Sequence, residues 1–156
     1  MERRRSDPNV RVAQWGARLV TVIDVRETVV HQWLTAGDSG ELELFDELLH
    51  ADVVVHAPAG LSTTSANEEK AVWRAALLAM PDLRHHVQEV LVERDVEMAR
   101  VVVTGTMSGG FGGVDGTGRR FRIDQAVIAH LRDGRVHEAW EIADIAALRD
   151  QVDVGE

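Results

Sequence analysis

The chain predicts an α+β fold, with helices gathered against one face of a strongly curved antiparallel sheet that wraps around an internal cavity. Three observations predict it. Before Pro81 the apolar residues recur at helical spacing behind three cap signals. After Pro81 the period switches to two. Asp133-Gly134 then joins the last two strand-like runs and supplies the two φ > 0 residues of a tight type I′ turn.

The elements follow in order. Residues 1–23 are expected to be an N-terminal extension with no assigned role, and residues 24–152 one domain. Asp24 and Glu27 have capping-box spacing before Val29, Val30, Trp33 and Leu34, a helix ending near Gly37. Asp38 and Glu41 repeat that spacing before Leu42, Phe45, Leu48 and Leu49, a second helix. Val53, Val54 and Val55 read as a short strand stopped by Pro58. Ser65 and Glu68 open a third helix, carrying Trp73, Leu77 and Met80 and closed by Pro81. Residues 84–94, 96–107, 119–131 and 135–142 form a meander of four long strands, interrupted by a glycine-rich loop at 108–118. Residues 143–151 form a closing helix.

Composition narrows the functional classes. A net charge of −9 with 17 basic residues gives no basic face for nucleic acid. No apolar run approaches the roughly 20 residues that cross a bilayer. Nucleic acid and membrane are therefore not expected partners, and a cytoplasmic location is expected. The absence of cysteine removes thiol nucleophiles and thiolate metal sites. The absence of tyrosine removes any step that needs a phenol. The histidines form no His-x-His pair and no H-E-x-x-H, so no metal is expected. The glycine-rich loop lacks the phosphate-loop pattern and joins two strands rather than a strand and a helix. It reads as a flexible connection, or as a mobile lid carrying Phe111.

The candidate chemistry sits on the last strand. By alternation His137, Ala139 and Glu141 share one face, and Val136, Glu138, Trp140 and Ile142 the other. Glu141 is thus a carboxylate among small and apolar neighbours, where burial would raise its pKa toward neutrality and suit it to carry a proton. Gln125, on the preceding strand, offers an uncharged donor for a carbonyl as charge develops there. Strict alternation from Val53 sends His56 away from the cavity, and a bulge before Pro58 would turn it in. On the second basis His56 is the expected second catalytic group. Trp33, Trp73, Met107 and Phe111 are expected to line the cavity. Trp140, on the opposite face, is divided between an interface and plain packing.

The element order, with Met80-Pro81-Asp82-Leu83 after the third helix, Gly116-Thr117-Gly118-Arg119-Arg120-Phe121, Asp133-Gly134-Arg135-Val136 and Glu138-Ala139-Trp140-Glu141, resembles the NTF2-like superfamily. Within it the chain looks most like the SnoaL-like polyketide cyclases, also called ester cyclases, from about residue 25 to 151. That resemblance implies a cone-shaped domain that needs no cofactor. Its substrate would be a small, hydrophobic, carbonyl-bearing compound. It also implies a homodimer through the outer sheet face. In those cyclases an Asp on the last strand is the acid/base of an intramolecular aldol closure, and Glu141 falls there. A substrate-binding Gln falls at Gln125. The His two residues beyond it is replaced by Val127, and the Asn near the end of the first strand by the stretch Val55-His56-Ala57, so Val127 and Val55 become apolar substrate contacts. The ketosteroid-isomerase and dehydratase mechanisms of the superfamily lean on Tyr, which this chain lacks. An epoxide-hydrolase relay would need Arg122 and Asp124, whose parity opposes Gln125. Rival readings are a non-catalytic ligand-binding protein, a structural dimerisation module, a cofactor-free hydroxylase and an epoxide-opening cyclase.

Overall fold

The computed structural model of the protein describes residues 11–15, 18–153 and 155. The element order is β1 (Arg11–Trp15), β2 (Arg18–Val22), α1 (Val29–Ser39), α2 (Phe45–Leu48), β3 (Leu49–His56), α3 (Ala66–Ala79), β4 (Arg84–Glu93), β5 (Val96–Thr106), β6 (Arg120–Arg132), β7 (Arg135–Ala143) and α4 (Ile145–Val152). The strands form one curved, unclosed sheet in the order β1-β2-β4-β5-β6-β7-β3. All neighbours are antiparallel except β3 and β7. The expected meander of β4 to β7 is present, and the 133–134 turn has φ of 52° and 75°.

Three expectations about elements are corrected. Within the segment 1–23, β1 and β2 pair with each other and β2 pairs with β4. Asp24 caps only a 3₁₀ turn at Val25–Glu27. Thr28 caps α1 instead, and the carboxylate of Glu97 on β5 accepts from the backbone N–H groups of Val29 (3.1 Å) and Val30 (2.8 Å). The second helix is reduced to a 3₁₀ turn and the four-residue α2, because Asp38 bonds a distant residue rather than capping it. β3 is longer than expected, starting at Leu49.

α1 runs past Gly37 to Gly40, which takes the left-handed conformation at φ 73°. Gly37 is therefore a mid-helix glycine, and its role is packing. A Cβ there would lie 2.4 to 2.6 Å from ring atoms of Trp73. The indole of α3 sits directly on the α1 backbone, which locks the two helices together.

β-bulges decide which side chains reach the core. In β6 the odd residues from Phe121 to Ala129 point inward and are buried. In β7 an extra residue at His137 shifts the register between His130 and Leu131. Val136 is consequently fully buried on the same side as Ala139 and Glu141, not opposite them as plain alternation predicts. A second bulge, at Gln88, shifts β4 against β5 between Val87 and Glu89.

Gly37→Ala provides a test with a reversed sign. At an ordinary helix-interior site this change stabilises by about 1 kcal/mol. Here it should destabilise by about 1–3 kcal/mol, because the Trp73 ring has nowhere to move in a packed core. Urea unfolding measures it, and an unchanged or raised midpoint would refute this seat for the indole.

Candidate active site

The concave side of the sheet and the helices enclose a cavity of about 140 Å³. Its wall is apolar apart from four side chains, Glu69, His85, Gln125 and Glu141, and the indole N–H of Trp73. β6 and β7 bring Gln125 and Glu141 to the inner face through the register pairs Gln125–Ala143 and Val127–Glu141. α3 supplies Glu69 and Trp73, one helical turn apart on the same side. Two loops close the mouth. Residues 57–61 and Phe111 to Gly112 contribute to the wall, and a Cβ on Gly112 would lie 3.4 Å from Leu61 and 3.5 Å from Ala59.

The two carboxyls differ in support. Glu69 is buried and accepts from the Thr63 hydroxyl (2.7 Å) and the Trp73 indole N–H (3.1 Å). Burial raises its pKa, while both donors oppose that rise by favouring the charged form. Glu141 is half-buried, and the surface it keeps faces the cavity it lines. It has no hydrogen-bond partner among the described residues. Burial and then the negative charge of Glu69 push its pKa up to about 8. At neutral pH Glu141 therefore holds its proton, beside a Glu69 carboxyl anchored by two donors. Gln125 is buried, and its Oε1 has no partner. An unsatisfied amide in a cavity wall is free for a ligand.

Of the residues singled out from the sequence, Glu141, Gln125, Trp73, Met107 and Phe111 line this cavity. Trp33, Val55 and Val127 do not line it and lie fully or almost fully buried in the core. His56 is corrected outright. Strict alternation holds to the end of β3, so His56 pairs with Trp140 on the outer face. There it stacks on that indole at 5.1 Å and bonds the Glu138 carboxylate at 2.9 Å, in solvent. No bulge turns it inward.

Sequence reasoning missed Glu69 and His85. Glu69 was legible: the stripe of Trp73 and Met80, continued back one turn, reaches it. His85 Nδ1 lies 2.7 Å from the Asp38 carboxylate, and Asp38 also accepts from the backbone N–H of His85 at 2.6 Å. Reading Asp38 as a helix cap hid that pair.

The family profile described as SnoaL-like polyketide cyclase matches residues 27–152. The chain belongs to the SnoaL-like polyketide cyclase family. Among solved structures it is similar to IdmH, a candidate polyketide cyclase from Streptomyces antibioticus, with 30% identity, 79% of this chain and 94% of that chain covered, and a TM-score of 0.69. It is also similar to AclR, a candidate hydroxylase from Streptomyces galilaeus (25% identity, 80% and 92% covered, TM-score 0.67). A protein of ketosteroid isomerase-like fold from Catenulispora acidiphila matches at 14% identity, 81% and 92% covered, with a TM-score of 0.70. No curated protein matches the chain. The fold of this SnoaL-like protein is thus the NTF2-like, ketosteroid isomerase-like one that its sequence predicts. No helix among the described residues is long and apolar enough to cross a membrane.

The raised pKa of Glu141 has a consequence for stability. An unfolded glutamate ionises near 4.5, whereas Glu141 in the folded protein holds its proton to about 8. Between those values the folded state binds more protons, so stability falls as pH rises from about 4.5 to about 8 and then levels off. Glu141 contributes a slope of roughly 1.4 kcal/mol per pH unit in that window. Glu141→Gln should flatten the decline of Tm between pH 5 and 8, leaving the smaller share due to Glu69. Parallel Tm curves for the two proteins would show that Glu141 does not titrate in this range.

Proposed function

We propose that this SnoaL-like protein is a cofactor-independent cyclase or isomerase. Its substrate is a hydrophobic, carbonyl-bearing intermediate of polyketide type, and its reaction a ring closure by intramolecular aldol or a related step. The observation that carries this reading is a protonated carboxyl, Glu141, beside an anchored carboxylate, Glu69, in an apolar cavity. An acid with a pKa of about 8 is mostly protonated at neutral pH and close enough to that pH to give up its proton.

The roles follow from the geometry. The largely apolar wall offers developing charge few polar groups besides Glu69, His85, Gln125 and Glu141. Glu141 gives its proton to the carbonyl oxygen as that oxygen gains charge. Gln125 brings an amide oxygen without a partner to the same cavity wall, where it accepts from a substrate hydroxyl. Glu69 remains ionised, held by Thr63 and Trp73, and keeps the proton on Glu141 between turnovers. The match to IdmH supports a ring-closing assignment, and the match to AclR marks hydroxylation as the nearest rival.

The test uses 2-tetralone, an apolar bicyclic ketone, as a probe of enolisation in D₂O. The wild-type protein should exchange its α-protons, with a rate that falls as pH rises through about 8. Glu141→Gln should lower the rate about 100-fold or more. If the variant matches the wild type, Glu141 is not the acid. If the wild type leaves the probe unexchanged, the acid/base reading fails in favour of a ligand-binding protein.

A further inference from the structure

The reading above names an acid and leaves the proton on carbon without an acceptor. Glu69 is spent on two donors, and Glu141 rests protonated. One further titratable side chain lines the cavity, His85 on β4. It comes from a different wall than Glu141, and its surroundings define its proton.

Asp38, in the last turn of α1, holds both ends of this residue. Its Oδ2 accepts from the His85 backbone N–H at 2.6 Å, and its Oδ1 lies 2.7 Å from Nδ1. Both side chains are nearly buried, at 9% and 8% exposure. A carboxylate can only accept, so Nδ1 carries a proton, and the neutral ring is the Nδ1–H tautomer. Nε2 then carries a lone pair, and it has no protein partner among the described residues. The Trp73 ring lies tilted against the imidazole at 5.1 Å and restricts its rotation. Asp38 gives up solvent to hold both the His85 backbone N–H and Nδ1, and the ring so held lines the cavity.

We propose that His85 is the general base of this site, oriented by Asp38 as a positioning residue, and that it works opposite Glu141. The proposal rests on the acid/base reading given above. In the step, Nε2 takes a proton from the carbon α to a substrate carbonyl. The C–H electron pair becomes the enol double bond, or attacks the second carbonyl of the same substrate to form the new C–C bond. The proton of Glu141 goes to the oxygen that receives charge. The proton on Nε2 then returns to the Glu141 carboxylate through solvent after product leaves. One proton has moved from carbon to oxygen, and no oxidant, reductant or co-reactant is consumed.

Charged and titratable groups face His85 from several elements. Asp38 faces it from α1, Glu69 lies beyond the Trp73 ring on α3, and Glu141 shares the cavity from β7. Arg84, its chain neighbour, bonds the Asp38 carbonyl at 3.3 Å and the Leu83 carbonyl at 2.6 Å. A base must be unprotonated to work, so the rate should fall at the acidic end as well as above about 8.

The 2-tetralone exchange assay separates the possibilities. In the wild type the profile should be bell-shaped. His85→Gln should lose about 100-fold or more of the exchange rate and should lose the acidic limb, which a purely structural role would leave in place. Asp38→Asn should lower kcat about tenfold or more with little change in KM, through loss of the tautomer lock. A wild type that exchanges the probe while His85→Gln does so equally fast, with the acidic limb intact, overturns His85 as base and leaves Glu141 standing. A wild type that does not exchange the probe overturns the functional reading itself, and this proposal with it. A measurement on the unmutated protein guards against variants that fail to fold. Nitrogen-15 NMR of the neutral imidazole should show the proton of His85 on Nδ1. A proton on Nε2 overturns the proposal.

Discussion

The side chain on which this structure turns is Trp73. Its ring occupies the space that a β-carbon on Gly37 would need, meets Phe45 edge-on at 6.1 Å and leans on His85 at 5.1 Å. Its indole N–H donates to Glu69. One residue therefore joins α3 to α1, to the short α2, to the sheet and to the site. Aromatic side chains suit such a position because they bury a large area yet keep one polar handle. The same contact that fixes the helix pair fixes the anion of the cavity. A change that moves the ring to relieve packing would also release Glu69 and alter the proton affinity of Glu141.

Charge is handled differently inside and outside the cavity. Glu97 is buried, and its charge meets the N-terminal N–H groups of α1. The Lys70 ammonium is 2.9 Å from the Asp46 carboxylate. These groups are neutralised where they stand. The cavity wall, by contrast, holds two carboxyls and no Lys or Arg. Two like charges in a low-dielectric space cannot both persist, so one carboxyl stays protonated. Burial first, and then the charge of Glu69, produces an acid from an ordinary glutamate, and no Lys or Arg in the wall offsets them.

Much of this was legible in the sequence, and the failures have definite physical causes. The Ser65 cap, the period-two strands and the Asp133-Gly134 turn are local signals, and each is read from a few adjacent residues. Glu141 and Gln125 could be placed on the inner face because β6 and the end of β7 alternate without interruption. Val136 could not, because the bulge at His137 reverses parity and no residue type announces it. Asp38 carries a misleading local signal. A capping box at 38–41 is sound spacing, yet a partner 47 residues away, His85, wins the carboxylate. Thr28 took the α1 cap from Asp24 in the same way, with help from Glu97 across the fold. Local rules lose wherever a tertiary partner offers a buried polar group a better bond.

The contrast between Glu138 and Glu141 shows why position, not residue type, makes the acid. The two glutamates lie three residues apart on β7 and differ in the face they take. Glu138 points outward, where His56 bonds it and water screens it. Glu141 points into a mostly apolar wall, meets the negative charge of Glu69, and keeps its proton to about 8. The alternation that puts His56 outside with Glu138 also keeps the imidazole from neutralising Glu141. Had a bulge turned His56 inward, a cationic imidazole there would have opposed the rise in the pKa of Glu141. The regular end of β3 is thus part of the chemistry of the site, although no atom of His56 lines it.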